Sequence, residues 1–232
     1  MKVVGIIPAR YGSSRFPGKP LVRILGKPMI RWVYEGAKKS KLLDQVIVAT
    51  DDKRIFNCVT DFGGDAIMTP ECSCGTDRVA YVARKIVCDI VANIQGDEPL
   101  INEDVIDAAV LPLIKNKRIM AGTAATEFNT EEEKADTNNV KVLLDRNNYA
   151  VYFSRMALPC ALKHIGIYAF RKKFLIKFSR MGQTPIELAE RLEQLRILEN
   201  GFKIYVGRIY CRTTGVDTEK DLKTILKILS SG

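Results

Sequence analysis

The sequence predicts an α/β fold, a mostly parallel sheet with helices on both faces, in a chain of 232 residues that suits one large domain or a core with a small subdomain. Three observations carry that expectation. Short β-branched runs alternate with amphipathic stretches along the chain, the pattern of parallel strands joined by crossover helices. The first such run opens at once into a loop of cations and small residues, and ligands of open α/β sheets bind outside the carboxyl ends of strands. Hydrophobic residues make up 47% of the 232, enough for a sizeable core and against disorder.

The first strand is read from Val3, Val4, Ile6 and Ile7, bounded by Pro8. The loop after it interleaves Arg10, Arg15 and Lys19 with Gly12, Ser13, Ser14 and Gly18. Glycine lets backbone N–H groups approach an anion, and arginine forks match phosphate oxygens, so the loop suits several phosphates. The ordinary alternative is a solvated basic loop. The P-loop spacing G-x-x-x-x-G-K-[ST] does not fit, because Gly12 to Gly18 encloses five residues and Pro20 follows Lys19. The dinucleotide pattern G-x-G-x-x-G is absent.

A helix follows over 28–39, with Ile30, Val33 and Ala37 on one face, then a strand over 45–50 ending at Asp51-Asp52. A short helix over 54–62 stops at Gly63-Gly64, and a third strand covers 65–68. Thr76 is expected to cap a helix running to Lys85, with Val79, Val82, Ala83 and Ile86 inward. A helix N-terminus offers free N–H donors to an anion, which sets Gly75, Thr76 and Arg78 against a nucleotide. Plain capping is the alternative. Cys72 and Cys74 form only a C-x-C pair and read as small loop residues.

The apolar run 90–94 is a strand ending in Gln95-Gly96-Asp97-Glu98-Pro99. Asp97 is then either an ordinary turn residue or an acidic metal ligand facing the basic loop. Asn102 opens a helix that Pro112 kinks or ends. A strand over 119–126 and a short charged helix over 130–134 come next. Runs 140–144 and 149–153 flank Asp145-Arg146-Asn147-Asn148 as a hairpin. In the strand around Ile165 and Ile167, His164 and Tyr168 project from one face. Thr184-Pro185-Ile186-Glu187 is a capping box for a helix to Glu199, with Leu188, Leu192 and Leu195 as its buried stripe. Glu193 sits beside that stripe, three residues from Arg196. A strand over 203–209 precedes Gly215-Val216-Asp217 and a last helix with Leu222, Ile225, Leu226 and Leu229 on its apolar face. Asp217 either caps that helix or, with Thr218 as the cap and Asp221 three residues on, keeps its carboxylate outside the helix for a metal.

The formal net charge is +9, but the basic residues are dispersed, which favours a small anionic substrate over nucleic acid. Six cysteines without a C-x-x-C pair, and His164 as the only histidine, argue against structural zinc. They read as reduced thiols of a cytoplasmic protein. The N-terminal apolar run is too short for a signal peptide, and no segment is long enough to span a bilayer.

Nine segments, IIPARYGSSRFPGKPL, IVATDD, CGTDRV, NIQGDEP, VKVLLD, YFSR, KHIGIYAF, LEQLR and GVDTEKDL, occur in the order seen in one family. Over nearly its full length the chain resembles the 3-deoxy-manno-octulosonate (Kdo) cytidylyltransferases. Sialic-acid cytidylyltransferases look like relatives but lack KHIGIY together with LEQLR in this form. The resemblance implies one nucleotidyltransferase domain of the nucleotide-diphospho-sugar transferase (GT-A-like) type, with a small sheet region serving dimerisation. It implies activation of Kdo with CTP, giving CMP-Kdo and pyrophosphate for lipopolysaccharide biosynthesis, in a cytoplasmic homodimer that uses Mg2+. By resemblance the catalytic residues are Arg10, Arg15, Lys19 and Asp97. Ser13, Ser14, Gly75, Thr76 and Arg78 join Arg10, Arg15 and Lys19 on the nucleotide. Gln95, Arg155, His164, Tyr168, Glu193 and Gln194 match the sugar-acid positions, and Asp97 and Asp217 the metal ligands.

Two departures stand out. Family members usually carry a longer loop before KHIGIY, where only Cys160, Ala161 and Leu162 follow Pro159 and Lys163 starts the motif. They also often have His and Ser where this chain has Cys72 and Cys74. Other readings are a cytidylyltransferase for an amino-Kdo or sialic-type acid, a basic nucleic-acid-binding protein without catalysis, and a glycosyltransferase using a nucleotide sugar. The last usually needs a D-x-D-like pair, which QGDEP does not supply.

Overall fold

A computed structural model describes residues 1–12, 16–210 and 219–230. Strand β1 (Val3–Ala9) lies mid-sheet, with parallel neighbours β4 (Gln45–Thr50) and β6 (Ile90–Asn93). The two-residue strands β2 (Arg23–Ile24) and β3 (Lys27–Pro28) form a separate ribbon. Beyond β4 lies β5 (Asp65–Met68), also parallel. On the other side of β6 the ten-residue β10 (Leu162–Arg171) runs antiparallel to β6 and to β7 (Ala121–Thr126), and β11 (Ile204–Arg208) closes that edge parallel to β7. The order β11-β7-β10-β6-β1-β4-β5 is completed by the hairpin β8 (Lys141–Leu144) and β9 (Ala150–Ser154), which joins the start of β10 through β8.

Side-chain alternation explains the layers. In β1, Val3, Ile7 and Ala9 face one core and Val4 and Ile6 the other. The first core is covered by α1 (Met29–Ala37), α2 (Lys53–Asp61) and α4 (Glu103–Lys115). The second is covered by α3 (Gly75–Lys85) and α6 (Lys172–Phe178). Helices on both faces of a mostly parallel sheet are the predicted architecture. The expected face of α1 holds, since Ile30, Val33 and Ala37 are all fully buried. A short helix α5 (Glu131–Ala135) is capped by Thr130, whose side chain accepts from the Glu133 N–H.

Four local expectations change. The helix expected from Thr184 to Glu199 is two helices, α7 (Pro185–Glu190) and α8 (Leu195–Glu199), parted at Arg191, whose φ is 55° and ψ 45°. The capping box forms as read, but Glu187 also receives the Arg196 guanidinium through Nε at 2.8 Å and Nη2 at 2.5 Å. That buried bidentate pair folds α8 back against α7. Leu192 and Leu195 are consequently buried while Leu188 is 57% exposed, so the three do not form one stripe. The second change is at α3, whose cap is Cys74 rather than Thr76: the thiol accepts the Asp77 N–H at 3.4 Å, the role a serine would take. Third, of the two expectations for Pro112, a kink or an end, the end is ruled out, since the proline lies inside α4. It leaves the Ala108 carbonyl without its helical donor, and Gly207 of β11 packs there, where any Cβ would stand 2.2 Å from that oxygen. Fourth, β10 is not a regular strand, because its register against β7 shifts between Ile165 and Tyr168.

The last helix, α9 (Glu219–Ser230), packs Leu222, Ile225, Leu226 and Leu229 with Ile24, Met29 and Trp32, as its apolar face predicts.

Candidate active site

The carboxyl ends of β1 and β6 meet over a cavity of about 310 Å3. Its walls include Pro8 and Ala9 at the end of β1, Cys74 and Gly75 at the start of α3, and Gly96 after β6. The close approach of the two strand ends needs glycine, since a Cβ on Gly96 would lie 2.9 Å from the Pro8 carbonyl oxygen. Six sequence-predicted site residues line this one cavity: Arg10, Lys19, Gly75, Arg78, Gln95 and Asp97.

Lys19 reaches it from a single 3-10 turn, Lys19–Leu21, launched by Gly18 at φ 72°. Its Nζ donates to Asp97 Oδ2 at 2.7 Å across 78 residues of sequence. The basic loop and the acidic turn therefore face each other as expected. Arg10 is exposed at the cavity mouth. The same loop is braced from outside by the Arg54 guanidinium, 3.3 Å from the centroid of the Tyr11 ring.

Thr76 and Arg78 have more specific partners than helix-end geometry could reveal. Arg78 is 3% exposed and donates to Asp51 at 2.5 Å and to Thr69 at 2.6 Å, tying α3 to the ends of β4 and β5. Thr76, relieved of capping by Cys74, turns its hydroxyl inward and donates to Glu193 Oε2 at 2.6 Å. Cys74 Sγ lies 3.4 Å from the other Glu193 oxygen. Burial pushes the Glu193 carboxyl above its ordinary range, and Thr76, Arg196 and Cys74 pull against that push. Glu193 thus stands at the back of the cavity's wall, with Arg196 3.8 Å away as a secondary partner to the Glu187 pair.

From Glu193 the sugar-acid candidates continue behind the same wall. Burial first, and the Glu193 charge second, raise the Tyr168 phenol. Tyr168 sits opposite Asn93 in the β10–β6 register and leans on the His164 ring at 5.5 Å. His164 is buried, which lowers its pKa to about 3 and keeps the imidazole neutral. Its Nε2 is 2.9 Å from Thr123 Oγ1, whose own proton goes to the Ile167 carbonyl at 2.6 Å. Nε2 must therefore carry the hydrogen, leaving Nδ1 the lone pair. Gly166, between them in sequence, lies against the Gln95 side chain. Gln194 Nε2 is buried with no hydrogen-bond partner among the described residues, and so is Asn93 Oδ1. Arg155 stands apart from the cavity, its Nη1 on the Thr137 carbonyl at 3.2 Å. Ser13, Ser14, Arg15 and Asp217 lie outside the described residues.

For a divalent cation, Asp97 offers hard carboxylate oxygens at the cavity rim. The Lys19 ammonium already holds the place of a positive charge against one of them, so the donor chemistry fits. Among the described residues no three His, Cys, Asp or Glu side chains cluster as a cation site.

Sequence reading passed over Asn93, Lys141 and Glu190. A polar residue inside the apolar run Ile90–Asn93 was the available signal for Asn93. Lys141 gave none, because its place in V-K-V reads as an outward strand position. Yet it is fully buried.

A family model described as Cytidylyltransferase matches residues 4–204. A protein of Geobacter metallireducens named 3-deoxy-manno-octulosonate cytidylyltransferase is 46% identical over 250 residues, covering 99% of this chain and 98% of its own. One of the same name from Fusobacterium nucleatum is 47% identical over 239 residues, covering 99% and 97%. A solved structure of a CMP:2-keto-3-deoxy-manno-octonic acid synthetase complexed with CTP superposes with a TM-score of 0.95 at 39% identity, over 100% of this chain and 99% of that one. With its segments, fold and length all accounted for by these relatives, the chain belongs to the 3-deoxy-manno-octulosonate cytidylyltransferase family of cytidylyltransferases.

Proposed function

We propose that this protein transfers the cytidylyl group of CTP to Kdo, giving CMP-Kdo and pyrophosphate for lipopolysaccharide biosynthesis. The observation that carries the reading is the 2.7 Å meeting of Lys19 and Asp97 in the cavity between β1 and β6. It sets a phosphate-seeking cation and a cation-seeking carboxylate side by side.

In this reaction the anomeric hydroxyl of the sugar acid attacks the α-phosphate and pyrophosphate leaves. Catalysis is mostly positioning and charge neutralisation. Lys19 and Arg10, with Arg15 by resemblance, neutralise the triphosphate and the departing pyrophosphate. By resemblance Ser13 and Ser14 would add hydroxyl donors to the nucleotide. Gly75 admits the nucleotide close to the backbone at the start of α3. Thr76 and Arg78 act from behind, holding Glu193 and the β4 end in place. Gln95, lining the cavity beside Gly166 of β10, is suited to bridge nucleotide and sugar. Neutral His164 with its lone pair on Nδ1, Tyr168, Glu193 and Gln194 Nε2, which has no partner among the described residues, are suited to sugar hydroxyls, and Arg155 to the sugar carboxylate. Asp97, with Asp217 by resemblance, would hold Mg2+, which when bound supplies positive charge to the reacting phosphate.

The same reading makes the protein a cytoplasmic homodimer. Val151 on β9 and Met156 just beyond it are more than half exposed, and this hairpin region is the proposed contact. No helix among the described residues is long and apolar enough to cross a membrane. A pyrophosphate-release screen of the four nucleoside triphosphates against several ulosonic acids tests the proposal. CTP with Kdo should give the highest turnover. Equal rates with ATP or GTP, or none with any ulosonic acid, would refute it, and a preference for an amino-substituted or sialic-type acid would move the substrate within the class.

A further inference from the structure

A buried lysine and a half-buried glutamate outside the cavity close on a single residue, Arg155. Lys141, at the start of β8, is the first. Its ammonium has three protons and three acceptors, all main-chain carbonyls: Asp136 at 2.7 Å, Asn139 at 2.8 Å and Arg155 at 2.9 Å. Glu190, at the end of α7, is the second. One carboxylate oxygen takes the Arg155 N–H at 3.0 Å, and the other takes Ser154 Oγ at 2.9 Å and Tyr152 OH at 3.2 Å. The peptide units on both sides of Arg155 are thus fixed by charge-assisted hydrogen bonds. Thr137, whose carbonyl receives the Arg155 guanidinium, lies in the 136–139 turn that Lys141 also holds. The main chain of Arg155 and the resting place of its side chain therefore depend on one ammonium.

A fully buried lysine that only satisfied strand ends would be an expensive way to do so, since desolvating the charge costs more than burying an apolar residue of similar size. The cost is visible in Lys141, whose pKa burial lowers. The Arg155 charge acts on both groups, opposing Lys141 and favouring Glu190. Among the described residues its guanidinium is meanwhile held by one carbonyl bond at 3.2 Å, so it can turn onto a ligand without breaking an ion pair there.

We infer that Lys141 and Glu190 are positioning residues that set the reach of the Arg155 guanidinium towards the carboxylate of the sugar acid, an assignment that rests on the function proposed above. Neither touches the substrate. Both act through the main chain of Arg155, so their loss should weaken capture of the acid and leave nucleotide binding alone.

The test is steady-state kinetics on the full chain with CTP and Kdo, using Glu190→Gln, Lys141→Arg, Arg155→Ala and the double variant Glu190→Gln/Arg155→Ala. Glu190→Gln and Lys141→Arg should each raise the KM for the sugar acid about fivefold or more, with kcat and the KM for CTP within about twofold of wild type. The double variant should be no worse than Arg155→Ala alone, because the two act through one group. Unchanged sugar KM in both single variants overturns the inference, as does a double variant whose defect is the product of the single ones. If Glu190→Gln does not fold, the Lys141→Arg profile alone decides. Wild type that turns over no ulosonic acid refutes the proposed function and this inference together. Wild-type turnover with undisturbed variants refutes the inference only.

Discussion

Replacing Thr76 with valine removes one hydroxyl and almost no volume, which isolates the link between the cavity wall and Glu193. The hydroxyl donates to a carboxylate at 2.6 Å, and a hydrogen bond to a charged group is worth about 1.5–3 kcal/mol. The Glu193 side chain is 31% exposed, so water partly compensates and the lower end applies. Asn93 Nδ2 also loses its 3.4 Å contact, in a side chain whose Oδ1 already has no partner among the described residues, adding up to about 1 kcal/mol. The sum is about 2 kcal/mol, or a fall in Tm of roughly 4–8 °C for a chain of this size. The effect carries a pH signature. Burial raises the Glu193 pKa in the folded state, so stability is fully present below the unfolded carboxyl pKa and is lost as pH rises through the folded one. Thr76 opposes that rise. Thr76→Val should therefore cost more at pH 8 than at pH 4, because the hydroxyl favours the carboxylate over the carboxylic acid. Thermal unfolding of Thr76→Val and Thr76→Ser at both pH values is the assay, with serine close to wild type. A valine variant that melts within about 1 °C of wild type at pH 8, or that loses more at pH 4, would refute the reasoning.

Lys19→Ala should lower kcat/KM at least about tenfold while leaving Tm within a few degrees, because a rim ion pair adds little to stability; an unaltered rate removes Lys19 from the chemistry. Arg196→Met should destabilise by about 3–5 kcal/mol in urea unfolding, since it strands the buried Glu187 carboxylate, and a loss below about 1 kcal/mol would show that the α7–α8 corner does not depend on the pair. His164 is held neutral with a pKa lowered to about 3. The unfolded chain then binds the extra proton first, so stability is lost as pH falls from about 6.5 towards 3, by up to about 1.4 kcal/mol per unit. His164→Gln should flatten that acid limb, and an identical limb in the variant would place the titration elsewhere.

What could be read from the chain depended on how local the cause was. The strands of the sheet announce themselves because Val4 and Ile6 alternate with Val3 and Ile7, and both faces need covering. Cavity residues such as Lys19 and Asp97 were legible because each follows a strand whose end is set by local signals. The break at Arg191 was not, because its reason is the Arg196–Glu187 pair, and the intervening sequence has every mark of one helix. Cys74 was read as filler since thiols rarely cap helices, which hid the inward turn of Thr76. The shift in β10 escaped for a similar reason: His164 and Tyr168 fit a plain alternation, and only pairing with β7 reveals otherwise. Lys141 shows the limit of pattern reading, because a lysine flanked by valines is outward-facing unless three distant carbonyls converge on it.

The position of Lys19 and Asp97 in the sheet has a consequence for how the protein loosens. They sit over β1 and β6, whereas β5 and β11 end the main strand order, β11 with one further bridge from Tyr205 to Tyr149. Fraying begins at edges, where fewer hydrogen bonds and apolar contacts must open together. Peeling away β5 or β11 leaves β1 still bonded to β4 and β6, with the two charged groups still facing each other. Amide protons of Ile6 and Ile7 should accordingly exchange only through the opening that unfolds the whole domain, and those of β5 through smaller ones. A nucleotide held between β1 and β6 would then slow the exchange of the middle strands far more than that of the borders.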